Sequence, residues 1–296
     1  MPGQLKEVRN RIKSIQSTQQ ITKAMKMISA TKLRKAQDAI IQLRPYARKL
    51  RQLVVDVVNE SEDNSTVSSL SVVRPVEKVL FVVVTSDRGS CGAYNSNIIK
   101  LTKATINEKY ASQAAKGNVS IWPIGKKGYE HFIKIKSNYT VNPAYRDIFL
   151  HLNYENVQAC AQAVIKGFQS GEFDAIEVVY SEFVNAASQR FISNKVLPLQ
   201  KEPRKPGERK RDFIIEPSHE QLIEVLMPYV FNTQMYRIIL EANASEHGAR
   251  MTAMDKATEN ANELLRTLRI SYNRARQAAI TTELTEIVSG AAALQG

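Results

Sequence analysis

The C-terminal sixty residues limit the possible folds of this chain more than any other stretch. From about Gln234 to Leu294 the sequence contains no proline, and Gly248 is its only glycine before the final turns. A periodic run this long indicates a coiled coil, a membrane span or a helical repeat. Charged residues recur every few positions, which excludes a membrane span. Sixty helical residues reach about 90 Å, so this helix needs an equally long partner to cover its apolar stripe.

The apolar stripe of this helix predicts a closely packed helical partner. Its members recur at spacings of three and four, and many are alanines, whose small side chains let two helix axes approach closely. The stripe comprises Ala257, Ala261, Leu264, Leu268, Tyr272, Ala275 and Ala279. We therefore expect these side chains to face another long helix.

The end of the helix has a different character. Beyond Gln277 it is apolar on more than one side, which a helix end surrounded by water should not be. We define the apolar tip as Ile280, Leu284, Ile287, Val288 and Leu294; Glu283 and Glu286 are the only charges near it. Two interpretations stay open. Either the tip packs into the core of this protein, or it enters a hydrophobic collar formed by another protein.

The N-terminus carries a second heptad pattern. Apolar residues at heptad spacing are Leu5, Val8, Ile12 and Ile15, then Ile21, Met25 and Ile28, then Leu33, Ala36, Ile40, Leu43, Ala47, Leu50, Val54 and Val57. The change of spacing near 17–20 predicts a register shift, and Pro45 predicts a kink or break near Arg44. Long helices at both ends of the chain predict an antiparallel pair, each covering the stripe of the other.

The middle of the chain alternates between strand and helix patterns. Strands are predicted at Val76–Thr85, which contains the apolar run 79–84, and at Val119–Ile124, Ala175–Phe183 and Arg190–Leu197, with helices between them. This alternation indicates βαβ units and a mostly parallel sheet. The predicted fold is thus α/β plus long α: an antiparallel coiled coil of the N- and C-terminal helices carrying a Rossmann-like α/β domain.

Changes in composition divide the chain into five segments. We predict an N-terminal coiled-coil helix over 1–60, a linker over 61–75 and an α/β foot domain over 76–200. A basic, mobile linker follows over 201–218, because 201–211 contains two prolines, one glycine and six basic residues. The C-terminal coiled-coil helix takes 219–296.

The charge of the chain is strongly basic and unevenly spread. The formal net charge is +12, and residues 1–60 hold 13 Lys or Arg against 4 Asp or Glu. Such a surplus suits nucleic acid, anionic lipid head groups or an acidic protein surface, and charge alone does not choose among them. No apolar run reaches the length of a membrane span. Cys91 and Cys160 make no metal-binding or CxxC spacing and are interpreted as free thiols in a reducing compartment.

The sequence predicts no catalytic set, no cofactor and no metal site. Residues 86–92 (SDRGSCG) form a glycine turn between a strand and a helix, but they match neither GxGxxG nor the P-loop pattern. The alternative is a tight turn whose glycines adopt positive φ. The four histidines, His131, His151, His219 and His247, show no ligand spacing with carboxylates or cysteines.

Three motifs resemble the gamma subunit of the F-type rotary ATP synthase, in its bacterial form. They are ITKAMKMISATKLRKAQ at 21–37, SDRGSCGAYNSN at 86–97 and YNRARQAAITTELTEIVSGAAAL at 272–294. The similarity is close at both termini and looser in the middle, and the total length agrees. It implies the central rotor shaft of a proton-translocating ATP synthase, a non-catalytic subunit that couples rotation of a membrane ring to ATP synthesis or hydrolysis at beta-subunit sites.

The resemblance also implies partners and contact residues. The partners would be the alpha and beta subunits in a hexameric ring, the epsilon subunit and the membrane c-subunit ring. The contact and coupling residues would be Lys23, Met25, Lys26, Arg88, Arg250, Arg276, Gln277, Thr281, Glu283 and Glu286, together with the apolar tip. The implied location is peripheral, at the cytoplasmic face of the bacterial inner membrane.

Two competing functions follow from the residues. A basic coiled-coil protein that binds nucleic acid would use the basic first helix, although no aromatic residues interleave with its charges and no nucleic-acid motif is present. A nucleotide-binding enzyme built on the α/β domain would need a phosphate loop, which the sequence lacks.

Overall fold

The first and the last element of the chain are long helices. The computed structural model of the protein describes residues 2–60, 69–135, 139–199, 216 and 219–295. Helix α1 runs from Pro2 to Glu60 and helix α6 from His219 to Gln295. The chain divides into two compact units. One comprises residues 1–29 and 250–296, the other residues 30–249.

The first unit is an antiparallel pair of helices. Arg9 contacts Tyr272, Thr22 contacts Thr258 and Lys26 contacts Asp255, so positions that rise along α1 meet positions that fall along α6. Buried and half-buried residues of α6 recur at spacings of four and three: Met254, Thr258, Ala261, Leu265, Leu268, Tyr272, Ala275, Ala279 and Thr282. This is the heptad seam of a coiled coil, and the predicted antiparallel pairing is confirmed.

The second unit contains a five-stranded sheet with the order β3-β2-β1-β4-β5. Its strands are β1 (Val79–Val84), β2 (Val119–Ile124), β3 (Tyr139–Val141), β4 (Ala175–Phe183) and β5 (Gln189–Leu197). Strands β1 to β4 pair in parallel, and β5 is antiparallel to β4. The predicted mostly parallel sheet is confirmed. The short edge strand β3 was not predicted, since three residues give too little alternation to detect.

Strand β1 is buried on both faces, as its uninterrupted apolar run predicts. Leu80, Val82 and Val84 belong to one core cluster, while Phe81 and Val83 belong to the cluster on the opposite face. The covering helices are α2 (Tyr94–Lys109), α3 (Ala111–Ala115), α4 (Lys126–Phe132) and α5 (Tyr154–Gln169), with a short 3₁₀ turn at Ile148–His151. The single sheet thus builds two cores.

The N-terminal part of α6 completes one of these cores. Its buried side chains recur at helical spacing and belong to the cluster that also contains Phe168 and Leu197: Ile223, Met227, Phe231, Met235, Ile238, Ile239 and Ala242. Partly buried Val54 of α1 packs against the same cluster. The first half of α6 is therefore a core helix of the α/β unit.

Two sequence-based expectations about the helices are wrong, and one part of a third is wrong. The register shift near 17–20 does not occur, because the seam of α1 continues through polar residues and leaves Ile21 and Ile28 58% exposed. Leu265 occupies the α6 seam, and Leu264 is 39% exposed. Of the kink or break predicted near Arg44, the break is absent, since α1 continues through Pro45.

The predicted segments follow the order of elements along the sequence, and they stay a prediction. The predicted linkers lie mostly outside the described residues, which resume at 69 and, apart from 216, at 219. The compact units cut across both long helices, so 30–60 and 219–249 belong with the α/β unit.

Candidate functional site on the paired helices

A polar segment interrupts the apolar seam of the first unit. Four successive seam positions of α1 carry polar side chains: Gln19, Thr22, Lys26 and Ser29. Thr22 and Ser29 are buried, with exposures of 7% and 1%. Buried polar groups are costly without hydrogen bonds, so each side chain requires a partner.

Side chains of α6 supply these partners at three of the four positions. The side-chain amide of Gln19 donates to Asn262 Oδ1. Thr258 Oγ1 donates to Thr22 Oγ1 at 2.8 Å, and Thr22 Oγ1 donates to the backbone oxygen of Gln19 at 3.0 Å.

The last two positions complete the set. Lys26 Nζ lies 2.5 Å from Asp255 Oδ1, and Ser29 donates to the carbonyl of Met25 at 2.7 Å. We call the three inter-helix pairs Gln19–Asn262, Thr22–Thr258 and Lys26–Asp255 the polar ladder.

The outer face of α1 is apolar where the seam is polar. Ile21, Met27 and Ile28 are exposed by 58%, 66% and 58%. In an ordinary two-helix coiled coil the apolar residues would occupy the seam. The inversion explains the wrong register expectation, because apolar spacing alone pointed to the outer face.

A groove beside the ladder has a basic rim. Its volume is about 340 Å³, and its lining includes Gln19, Asn262, Arg266, Arg269 and Asn273. The lining contains two guanidinium groups, three carboxamides and no carboxylate. This face of the first unit presents positive charge and hydrogen-bond donors to its surroundings.

The predicted contact residues of α1 fall into two settings. Lys23 is exposed, and Met25 is half-buried. Lys26 is paired with Asp255 in the ladder, although both side chains keep more than a third of their surface exposed. The structure thus gives Lys26 an internal partner that the sequence did not reveal.

The predicted contact residues of α6 are mostly exposed. Arg276, Gln277, Thr281, Glu283 and Glu286 all lie on the exposed surface of the helix. The Thr281 hydroxyl donates to the carbonyl of Gln277 at 2.9 Å, a bond within the helix. Arg250, near the start of this segment, is half-buried. The polar side chains beyond Gln277 therefore present their charges to solvent in this chain.

The apolar tip is uncovered. Ile280, Leu284, Ile287 and Val288 are exposed by 47%, 58%, 67% and 66%. Tyr272 of α6 already lies opposite Arg9 of α1, so about eight further residues bring α6 past the beginning of α1. The interpretation that the tip packs into the core of this protein is wrong. The side chain of Leu294 lies outside the described residues.

Arg88 belongs to the second unit, in the turn that follows β1. Ser86 anchors this turn, because its backbone N–H donates to Asn95 Oδ1 at 3.0 Å and its hydroxyl donates to the Arg88 carbonyl at 2.7 Å. Ser90 and Gly92 adopt positive φ of 66° and 61°. The expected glycine turn is present, although Ser90 rather than Gly89 takes the first left-handed position. Arg88 itself is exposed.

Helix α6 closely approaches the edge of the sheet where parallel α/β folds commonly bind ligands. That place is the crevice at the carboxyl ends of the strands where the strand order reverses, here between β1 and β4. The Tyr94 hydroxyl donates to the Ala242 carbonyl at 3.0 Å, and Ser181 and Ser245 share a hydrogen bond of 2.6 Å. The contacts that hold α6 here come from the chain itself.

Burial sets the protonation of several groups in the α/β unit. It raises the pKa of the Cys160 thiol to about 12, so this thiol is neutral at physiological pH. It raises the pKa of Asp87, opposed by a hydrogen bond from the backbone N–H of Lys126. It also raises the pKa of Glu241, opposed by the charge of Arg237. Among the described residues, no group of three or more metal-ligating side chains occurs.

The whole chain matches one protein family. The family model described as ATP synthase matches residues 4–294. A relative from Cytophaga hutchinsonii, named ATP synthase gamma chain, is 46% identical over 297 residues and covers 99% of both chains. Another of that name from Chlorobium chlorochromatii is 48% identical over 294 residues, with the same coverage. The chain belongs to the ATP synthase gamma-chain family.

Solved structures of a mitochondrial ATP synthase contain chains with the same fold. A chain of the Euglena gracilis mitochondrial ATP synthase, from a structure of its OSCP, F1 and c-ring in rotational state 3, superposes with a TM-score of 0.68. It is 21% identical and covers 99% of this chain and 95% of its own length. A rotor chain of the same enzyme in rotational state 1 gives a TM-score of 0.61 at 21% identity.

Membership of the gamma-chain family decides between the competing functions. A gamma chain is a non-catalytic subunit of the rotary ATP synthase, and it forms the rotor of the central stalk. The full-length match gives no support to the nucleic-acid-binding alternative. Among the described residues, no helix is long and apolar enough to cross a bilayer.

Proposed function

We propose that this gamma chain couples rotation to catalysis through the outer surface of its paired helices and its apolar tip. Its partners are alpha and beta subunits arranged in a ring around the helices. The α/β unit binds the epsilon subunit and the c-subunit ring at the membrane. The complex lies at the cytoplasmic face of a bacterial inner membrane. The single observation that carries this proposal is the exposed tip, whose four described apolar side chains are 47% to 67% exposed in this chain.

The coupling follows from the asymmetry of the rotor surface. Alpha and beta subunits repeat around the ring, whereas the surface of two different helices does not repeat. Each beta subunit therefore meets different side chains and is stabilised in a different conformation. Rotation exchanges these contacts, and the difference in contact free energy changes the nucleotide affinity of each site.

The contact residues divide by position in this proposal. Lys23 and Met25 act on α1, whereas Arg276, Gln277 and Thr281 act on α6. Exposed ion pairs contribute about 1 kcal/mol or less, which lets such contacts exchange as the rotor turns. Arg88, Arg250, Lys26, Glu283 and Glu286 complete the proposed set. The Lys26 ammonium is also paired with Asp255.

Arg276 gives the sharpest test of this proposal. The Arg276→Glu variant should lower coupled ATP synthesis in reconstituted vesicles by at least several-fold. The fold should survive, because surface substitutions usually change stability by only about 0.5 kcal/mol. Synthesis rate, hydrolysis rate and co-purification with the alpha and beta subunits are measured together.

Arg274→Glu is the matched control, since Arg274 is also exposed and points about 160° away around the helix. If both charge reversals leave synthesis and assembly unchanged, Arg276 has no coupling role. Equal losses in both variants would indicate a general effect of charge rather than a specific contact.

A further inference from the structure

We infer that the polar ladder fixes the axial register of the two helices and adds little to their stability. Gln19, Thr22 and Lys26, with their partners Asn262, Thr258 and Asp255, are thus positioning residues of the rotor. The inference concerns the helix pair itself and does not depend on the proposed coupling contacts.

The first argument is the placement of the ladder inside the seam. On either side of it the seam is apolar, with Ile12 and Ile15 of α1 on one side and Leu33 and Ala36 on the other. Apolar contacts are non-directional, so an alanine- and leucine-rich seam packs almost equally well after a shift of one heptad. A heptad shift would displace one helix by about 10 Å along the other.

The second argument is directionality. Hydrogen bonds weaken steeply once the donor and acceptor are misaligned. A heptad shift would separate Thr22 from Thr258, and each hydroxyl would keep only the hydrogen bond to a carbonyl of its own helix. Only the observed register forms all three inter-helix pairs of the polar ladder together. Single polar residues at seam positions of other coiled coils set register in this way, at a cost in stability.

The third argument is the small stabilisation that the ladder offers. The Lys26 and Asp255 side chains are 41% and 45% exposed, and exposed ion pairs contribute little. Gln19 and Asn262 form an exposed hydrogen bond. Apolar residues are available in the same stretch, but Ile21 and Ile28 lie on the outer face. The sequence therefore places polar side chains in a seam that isoleucines could have filled.

The experiment measures register directly in the full-length chain. Spin labels on cysteines introduced at exposed Arg11 and Ser271 report the distance between the helices by pulsed electron paramagnetic resonance. The native thiols Cys91 and Cys160 are buried and should not be labelled. The unsubstituted ladder should give one narrow distance distribution.

The test variant replaces two pairs of the polar ladder with apolar side chains: Gln19→Leu, Asn262→Leu, Thr22→Val and Thr258→Val. We expect its unfolding temperature to stay equal or rise, while a second distance population appears. Thr22→Ser with Thr258→Ser keeps both hydroxyls and should restore the single population. Thr18→Val with Thr267→Val makes the same change at exposed positions outside the seam and should have no effect.

Two results would overturn the inference. One is a single narrow distribution in the apolar variant, which would show that other contacts fix the register. The other is a large fall in unfolding temperature with an unchanged distance, which would make the ladder a stabilising element. If the fourfold variant does not fold, the Thr22→Val and Thr258→Val pair alone is judged by the same two measurements.

Discussion

Gly125 holds the turn between β2 and α4 in a conformation that other residues rarely adopt. Its φ is 98°, and a Cβ at this position would lie 2.3 Å from the carbonyl oxygen of Thr85. The Thr85 side chain adds a second constraint, because its hydroxyl accepts a hydrogen bond from the N–H of Gly128 at 2.8 Å. The backbone here has no room for a side chain.

We predict that Gly125→Ala lowers the free energy of unfolding by about 1–3 kcal/mol or more. This is the usual range for backbone strain of this kind. The steric overlap with Thr85 adds to this strain. Thermal unfolding of the purified chain measures the change. Gly89→Ala is the control, since its Cβ would meet nothing within 4 Å. Equal effects of the two substitutions would contradict the role of Gly125.

Glu241 is a carboxylate whose burial opposes its charge. Its side chain is 15% exposed, and the guanidinium of Arg237 lies 3.8 Å away. Burial raises the pKa of Glu241, Glu182 raises it further, and Arg237 and Arg44 lower it. Since the folded-state pKa is above the unfolded one, Glu241 favours folding most at low pH. This contribution is lost as pH rises through the folded-state pKa.

We therefore predict that Glu241→Gln raises the unfolding temperature at pH 7 to 8, because the neutral amide avoids the cost of a buried charge. The difference from the unsubstituted chain should shrink as pH falls and vanish below pH 4.5, the ordinary pKa of glutamate. Thermal unfolding across this pH range is the measurement. Glu224→Gln, at an exposed position of the same helix, is the control. A pH-independent difference would contradict the role of ionisation.

Helix α1 tolerates a proline in its interior. Pro45 is exposed and removes one backbone hydrogen bond, yet the helix continues on both sides of it. The sequence predicts a kink or break here because proline in a helix interior is strongly disfavoured. Leu50 is buried after the proline and Ile40 before it, so packing on both sides retains the helix.

We predict that Pro45→Ala stabilises the chain, by up to about 3 kcal/mol, the difference in helix propensity between the two residues. The control is Gln42→Ala, an exposed change three residues earlier with a much smaller propensity difference. Chemical denaturation of both variants measures the free energies of unfolding. A loss of stability in Pro45→Ala would show that a proline-dependent bend is needed for packing.

At the scale of the whole molecule, the gamma chain carries an uncovered apolar end. Because Ile287 and Val288 are 67% and 66% exposed in this chain, changing them should affect assembly and leave folding intact. Substitutions in the buried core differ in their effect, because a charged side chain there would unfold the protein.

We predict that the double variant Ile287→Lys and Val288→Lys keeps the unfolding temperature of the isolated chain within a few degrees. Its assembly with the alpha and beta subunits should fall by about tenfold or more, since two charges would enter an apolar collar. Co-purification with the ring subunits measures assembly. Thr285→Lys, at an exposed polar position of the same segment, is the control. Full assembly of the double variant would count against an apolar collar.

The sequence by itself determined the elements that depend on local pattern. The long apolar run of β1, the alternation of strands and helices, and the heptad spacing at both termini correctly predicted the sheet and the helix pair. The similarity of three motifs to the gamma-chain family also correctly indicated the family. The structural predictions succeed because periodicity reports which face of an element is buried.

The tertiary structure alone decided which face of each helix is covered. In residues 19–29 Ile21, Met27 and Ile28 are exposed while polar side chains occupy the seam, so the spacing of Ile21 and Ile28 was misleading. Leu265 rather than Leu264 joins the seam for the same reason. Buried polar residues need hydrogen-bond partners, and sequence spacing contains no information about a partner from a distant segment. The pairing of Thr22 with Thr258, 236 residues apart, exists only in the folded chain.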